Sequence, residues 1–198
     1  MLTALIAALA LQSAAARPVA SVVPDCDYDR AAILALSPEA FDQDMNGGWR
    51  PLADKPECRG AAADLLAAYR HAHWGDLGPD QLHLNYWHEG QIRASLDQRD
   101  RAVRLLMAGV NPNDSGSGFD DYALGTVAFL RNDRPALEAA RARLAALPMP
   151  DSFRRAAETF REKYGREVKW PMNLDVLDGL IACFGRSYDE AYGDCRPE

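Results

Sequence analysis

The chain has 198 residues, of which 48% are hydrophobic and 26% are charged, and its formal net charge is -7. A chain of this length suits one domain, and its apolar fraction is large enough to build a core, which excludes an intrinsically disordered protein. The acidic charge argues against a nucleic-acid-binding protein and against adsorption to anionic membranes, because both need a basic surface.

The N-terminal residues 1–16 resemble a cleavable secretion signal. Leu2–Leu11 form an apolar run that is interrupted only by Thr3 and is too short to span a bilayer. Three alanines follow at 14–16, where a signal peptidase prefers small residues. We predict a signal peptide at 1–16, a single mature domain at 17–198 and no membrane span after cleavage. The alternative is a buried N-terminal helix.

The predicted location is the periplasm of a bacterium or the space beyond it. Arginine outnumbers lysine 19 to 3, which is typical of proteins from GC-rich bacterial genomes. Four cysteines, Cys26, Cys58, Cys183 and Cys195, follow the predicted signal. An even number of cysteines in an oxidising compartment indicates two disulfides, and three pairings are open. We favour Cys26–Cys58 with Cys183–Cys195, since each closes a local loop. A zinc site on the four thiolates is the alternative, but the chain has no Cys-x-x-Cys pair.

Almost every segment is predicted to be helical, and none shows the period-two alternation of a strand. Residues 29–36 are rich in Ala and Leu, and Ser37-Pro38-Glu39 is a typical helix start. Further helices are predicted at 61–73, 79–96, 101–107, 119–130, 135–147, 152–164, 173–184 and 188–192. The predicted fold class is all-α, with about nine helices.

A spacing of small residues predicts how these helices pair. Three glycines are followed 11 or 12 residues later by an alanine that comes shortly after an aspartate: Gly90 by Ala102, Gly125 by Ala136 and Gly179 by Ala191. Small residues that meet across a turn allow two antiparallel helices to approach closely. Each such hairpin has an apolar face that a neighbouring hairpin must cover.

These residues resemble tetratricopeptide repeats, which have a period near 34 and an alanine 12 residues after a small residue. Gly90, Ala102 and Leu106 match the repeat, and Leu124-Gly125 reproduces its Leu-Gly pair. The aromatic positions of the repeat are not matched. The resemblance covers 82–147 and the C-terminal helix pair, and it implies a short right-handed array of antiparallel helix pairs.

Two segments also resemble an uncharacterised group of exported proteobacterial proteins. These segments are residues 41–50 and 86–91. No activity follows from this second resemblance.

The repeat resemblance implies a binding surface, because the first helix of each tetratricopeptide pair lines a concave, peptide-binding face. The corresponding residues here are Leu84, Trp87, Gln91, Ser95, Phe119, Tyr122, Thr126 and Phe129. Rings would bury apolar side chains, while amide and hydroxyl groups would bind the backbone of an extended peptide. This implies an exported protein that binds a protein or peptide partner, without a cofactor, a metal or enzymatic activity. The alternative is that Trp87, Tyr122 and Phe129 are core residues.

The histidines suggest a different function, a metal-dependent hydrolase. His71, His73, His83 and His88 lie within 18 residues, and Glu89 could act as base for a zinc-bound water. However, His83 and His88 are separated by about 140° around a helix, and no two histidines are four residues apart. A third alternative is an inhibitor or immunity protein for one exported enzyme or toxin, which would suit an acidic exported domain.

The segment after the second predicted helix mimics the start of a calcium loop. Asp42, Asp44 and Asn46 supply oxygens at the first, third and fifth positions, followed by Gly47. The twelfth position, which needs a bidentate Glu, is Ala53. We therefore expect a helix end followed by a turn.

Overall fold

A computed structural model describes residues 26–110, 116–165 and 167–197 of the chain. The predicted signal peptide at 1–16 lies outside these ranges. Every regular element within them is a helix, which confirms the predicted all-α class.

The described ranges contain eleven α-helices and one short 3-10 helix at Pro56–Cys58. The α-helices are α1 (Arg30–Leu34), α2 (Pro38–Asp42), α3 (Arg50–Ala53), α4 (Arg59–Ala72), α5 (Pro79–Ser95), α6 (Arg99–Ala108), α7 (Phe119–Leu130), α8 (Arg134–Ala145), α9 (Asp151–Tyr164), α10 (Leu174–Ala182) and α11 (Tyr188–Tyr192). The sequence prediction missed α3, a four-residue helix whose second residue is Pro51. The predicted start of α2 is confirmed, because the Ser37 side chain accepts a hydrogen bond from Ala40 N.

The three predicted hairpins are pairs of consecutive helices that pack together: α5 with α6, α7 with α8, and α10 with α11. In addition, α4 packs against α5. The helices of a pair run antiparallel. In the second pair, for example, Asp121 near the start of α7 accepts a hydrogen bond from Arg143 near the end of α8, at 2.6 Å. Between the second and third hairpins lies α9, none of whose described side chains is buried.

Two of the three repeat glycines lie where their own hairpin partner approaches closely. A Cβ atom on Gly90 would lie 2.7 Å from Cδ2 of Leu106, which is one helical turn beyond the buried Ala102. A Cβ atom on Gly179 would lie 2.6 Å from the carbonyl oxygen of Ala191. At both positions, glycine permits a helix separation that any larger residue would prevent.

The predicted pairing of Gly125 with Ala136 is wrong. A Cβ atom on Gly125 would lie 2.7 Å from Leu177 of α10 and 3.4 Å from Ala140 of α8, whereas Ala136 is exposed. Ala136 lies in the first turn of α8. The residue that meets Gly125 is therefore one turn further along the helix than the sequence spacing indicated.

The third hairpin folds back onto the first, which distinguishes this arrangement from an open array. In a solenoid, each repeat contacts only its neighbours. Here α11 contacts α5, where Gln91 Nε2 donates to the Tyr188 hydroxyl at 3.5 Å, and α10 contacts both α7 and α8. The right-handed sense of the array and the tetratricopeptide resemblance stay predictions.

Both predicted disulfides are present, Cys26–Cys58 and Cys183–Cys195, with Cα–Cα distances of 5.5 and 6.1 Å. No thiolate is left for the alternative zinc site, because these bonds use all four cysteines. Two disulfides are compatible with an extracellular or periplasmic protein. None of the described helices has the length and apolar character needed to cross a membrane.

The buried apolar side chains form two clusters that share α5. The first surrounds Phe41 and Tyr69 and is formed by the N-terminal helices, and the second surrounds Leu177. From α5, Ile92 belongs to the first cluster and Trp87 belongs to the second. The packing of α5 therefore couples the two halves of the molecule.

The close approach of α5 and α6 predicts the effect of replacing Gly90. We expect Gly90→Ala to lower the free energy of unfolding by about 1–3 kcal/mol, since the added methyl overlaps the buried Leu106. Chemical denaturation measures this change. The control is Gly60→Ala in α4, where a Cβ atom would meet nothing within 4 Å and alanine favours the helix by up to ~1 kcal/mol. Equal effects of the two substitutions would contradict the close helix contact.

Candidate functional site

The predicted binding residues do not form an open face. Trp87, Tyr122, Thr126 and Phe129 are each no more than 3% exposed. The structure brings part of the set together, because the rings of Trp87, Phe119 and Tyr122 contact one another with centroids 4.9–6.2 Å apart. Gln91 joins this group by donating to the Tyr122 hydroxyl at 3.2 Å. Phe119, Gln91, Ser95 and Leu84 are partly buried.

The residues that cover this face come from the end of the same chain. The ring of Tyr188 in α11 lies 6.4 Å from that of Phe129, and the ring of Phe184 lies 6.0 Å from it. Burial and the neighbouring tyrosines raise the pKa of the Tyr122 and Tyr188 hydroxyls. This corrects the expectation of an open aromatic surface: in this structure Trp87, Tyr122 and Phe129 are core residues, as the alternative interpretation held.

A fully buried carboxylate, Glu89 of α5, lies at the junction of three helices. Its Oε2 accepts a hydrogen bond from Arg70 of α4 at 2.6 Å, and its Oε1 accepts from Arg101 of α6 at 2.8 Å and from Arg93 at 3.3 Å. Arg93, itself buried, also forms an ion pair with Asp64 of α4. Glu89 is thus an ion-pair partner of three guanidinium groups.

A second polar unit joins the end of α2 to α5. Asp42 Oδ1 accepts a hydrogen bond from Trp49 Nε1 at 2.9 Å and lies 2.7 Å from His88 Nδ1. The Oδ2 atom accepts from Gln43 Nε2 at 2.7 Å. Because an ionised carboxylate only accepts, the His88 proton at this contact is on Nδ1. Burial alone would raise the pKa of Asp42, but the hydrogen bond and charge of His88, with the Trp49 and Gln43 donors, lower it.

The calcium-loop mimic is a turn, as the sequence predicted. Asp44 Oδ1 accepts a hydrogen bond from Asn46 N at 2.9 Å, while Asp42 binds Trp49 and His88. The turn requires glycine at 48, where φ is +58° and a Cβ atom would clash with the carbonyl of Phe41.

A cleft of about 260 Å³ lies between α2, α4 and α5, beside the Glu89 ion pairs and the hydrogen bonds of Asp42. We name it the α2–α5 cleft. Its apolar lining consists of Pro38, Phe41, Tyr69, Leu77 and Leu84, and its polar lining consists of Glu39, Asp42, Gln43, Gln81 and Asn85. Of the eight predicted binding residues, Leu84 is the one that lines this cleft.

Hydrogen bonds and ring stacking hold the cleft walls in place. The rings of Phe41 and Tyr69 are stacked with centroids 3.6 Å apart, and the Tyr69 hydroxyl donates to the Leu36 carbonyl at 2.7 Å. Burial and the charge of Asp42 raise the pKa of that hydroxyl. Asn85 Oδ1 accepts from Arg70 at 2.6 Å. Arg70 therefore connects the Glu89 ion pairs to the wall of the cleft.

The histidines do not gather at one point. His71 is exposed, His83 is partly buried, His73 Nε2 lies 2.8 Å from the Leu34 carbonyl oxygen, and His88 binds Asp42. In the part of the chain that the structure describes, no group of three or more His, Cys, Asp or Glu side chains is placed to hold a metal ion.

No protein-family model matches this sequence, and no curated protein or solved structure is significantly similar to it.

The Glu89 ion pairs predict a large loss of stability on neutralisation. We expect Glu89→Gln to lower the free energy of unfolding by about 3–5 kcal/mol, because the buried Arg93 guanidinium loses its buried counter-charge. Urea denaturation measures the loss. Glu138→Gln removes an exposed i,i+4 pair with Arg134 and should cost about 1 kcal/mol or less. Equal losses in both variants would contradict the assigned role of Glu89.

The lowered pKa of Asp42 predicts a pH-dependent contribution to stability. The stabilisation is present above the pKa of the unfolded carboxyl, about 3.9, and is lost as pH falls through the lower folded value. We expect Asp42→Asn to cost about 1–3 kcal/mol near neutral pH. The difference from the wild type should shrink as pH falls below about 4, as measured by denaturation at several pH values.

The control for this experiment is Asp54→Asn, which alters an exposed carboxyl just after α3. It should change the free energy of unfolding little at any of these pH values. If the loss in free energy of unfolding caused by Asp42→Asn stays constant or grows towards acid pH, the Asp42 carboxylate is not stabilised by its partners.

Proposed function

We propose that this is an exported binding protein that holds a segment of a protein or peptide partner in the α2–α5 cleft. The observation that supports this most directly is the lining of the cleft, where apolar side chains from three helices lie next to carboxylate and amide groups. Such a combination buries one side chain of a partner while polar groups at its edge bind the partner's backbone.

The volume of the cleft favours a side chain over a free metabolite. Sites for drug-sized ligands usually measure about 300–1,000 Å³. The α2–α5 cleft, at about 260 Å³, is smaller than this range. A single large side chain, continuing into a backbone that lies on the surface, suits the available space.

The rigidity of the walls also supports binding. Asp42 is fixed by Trp49 and His88, and Asn85 is fixed by Arg70, so two of the polar groups are oriented before a partner arrives. Preorganised groups lose little conformational entropy on association, which raises affinity. Export is supported by the secretion-signal resemblance of residues 1–16 and by the two disulfides.

Selection of peptides from a random phage library tests this function. Selected peptides should bind the wild-type protein, and calorimetry should show at least about tenfold weaker binding to Gln81→Trp, whose indole fills the edge of the cleft. The matched control is Leu124→Trp, at an exposed position on α7, which should bind as the wild type does. Failure to select any peptide, or equal binding to all three proteins, would overturn the proposal. Thermal unfolding of both variants should show a cooperative transition, which checks that each of them folds.

A further inference from the structure

We infer that the side chain held in the α2–α5 cleft is basic, an arginine or a lysine of the partner protein. This inference rests on the proposed function and names the chemistry that the cleft recognises. It combines the charge of the lining, the hydrogen-bonding capacity of Asp42 and the mixed apolar and acidic surface.

Among the residues that the structure describes, the charged side chains that line the cleft are both acidic. They are Glu39, which is exposed, and Asp42, which is buried, and none of the other described lining residues is a lysine, arginine or histidine. The guanidinium groups near the walls are already engaged: Arg70 binds Glu89 and Asn85, and Arg50 binds the Asp42 carbonyl oxygen at 2.5 Å. An incoming cation therefore meets the Glu39 carboxylate and the Oδ2 atom of Asp42, while the Oδ1 atom of Asp42 stays paired with His88.

Asp42 retains capacity for another donor. Its Oδ1 takes part in contacts with Trp49 and His88, whereas its Oδ2 accepts one hydrogen bond, from Gln43, within the described residues. A carboxylate oxygen can accept two hydrogen bonds. Gln43 itself is an exposed residue of the cleft wall, so its amide can move when a stronger donor arrives. A guanidinium or ammonium group forms a charge-assisted hydrogen bond there, which is stronger than the amide contact.

The apolar lining suits the stem of a basic side chain. Leu77 and Leu84 provide surface for methylene groups, while the carboxylates of Glu39 and Asp42 provide partners for the charged end. Lysine and arginine pack their stems along apolar surfaces and keep their heads in polar surroundings. An acidic side chain would instead be repelled by both carboxylates, and a wholly apolar one would leave them without a new partner.

The net charge distinguishes a different partner from a second copy of this chain. With a formal net charge of -7, two copies repel each other at long range, whereas a basic segment is attracted. Complementary charge of this kind raises association rates and makes them dependent on salt. The charge thus favours a basic segment of another protein as the occupant.

The test uses three blocked tripeptides that differ at one residue: acetyl-Ala-X-Ala-amide, with X as arginine, citrulline or norleucine. Citrulline matches the shape of arginine without its charge. Amide chemical shifts of Leu84 and Asn85, followed by NMR during titration, report binding in the cleft. We expect the arginine peptide to bind at least about tenfold more tightly than the citrulline peptide, since the charge meets two carboxylates.

A charge-neutral variant makes the test specific to the cleft. Glu39→Gln, at an exposed position of α2, should weaken binding of the arginine peptide by about threefold and leave the affinity for the norleucine peptide unchanged. The control is Glu162→Gln on α9, which removes the same charge at a position that does not line the cleft. This variant should bind the arginine peptide as the wild type does.

The outcomes separate this inference from the proposed function. The inference of a basic side chain is wrong if the citrulline or norleucine peptide binds as tightly as the arginine peptide. It is also wrong if no tripeptide changes the amide chemical shifts of Leu84 and Asn85. Peptides selected from the phage library still decide the proposed function independently. Equal losses in Glu39→Gln and Glu162→Gln would mean that binding follows the overall charge, which also overturns the inference.

Discussion

The ion pairs of the Glu89 side chain, which is enclosed between three helices, are the constraint on which the rest of this structure depends. A buried carboxylate is strongly unfavourable unless charged donors surround it. Arg70 from α4 and Arg101 from α6 meet this need from opposite neighbours of α5. The need to pair the Glu89 carboxylate therefore constrains the positions of α4, α5 and α6. The two apolar clusters also meet at α5.

The same junction shapes the candidate site. Arg70 binds Glu89 and Asn85, so the orientation of a cleft residue depends on the buried ion pair. On the other wall, Asp42 ends α2 and is held against α5 by His88. The polar groups of the α2–α5 cleft are thus extensions of contacts that stabilise the fold. The cleft lining and the scaffold therefore share these interactions, which give the cleft a defined shape.

Local features of the sequence predicted much of the fold. The helix start at Ser37 and the two disulfides depend on residues that are close in sequence or on a simple count of cysteines, and both predictions are confirmed. The contacts at Gly90 and Gly179 follow from spacing within a hairpin. Gly125 is different because its closest neighbour, Leu177, comes from another hairpin, and the spacing of one pair contains no information on that contact.

The sequence does not predict most of the candidate site, because the site also depends on contacts between segments that are far apart in the chain. The repeat resemblance assigns the aromatic residues to an open face. The burial of Phe129 includes contact with Tyr188 of α11, which folds back from another hairpin, and no local pattern predicts that contact. The α2–α5 cleft joins Phe41 to Leu84, across more than 40 positions of the chain. In the sequence, Glu89 is next to His88, which suggests a catalytic base. Its actual partners are three arginines, and the sequence does not reveal them because the packing of α4, α5 and α6 brings them together.

Differential scanning calorimetry of the oxidised wild-type chain tests most directly whether this junction unites the molecule. If α5 and the Glu89 ion pairs couple both apolar clusters, unfolding should occur in one transition with equal calorimetric and van't Hoff enthalpies. Two separate transitions, one for each cluster, would contradict this account of the fold.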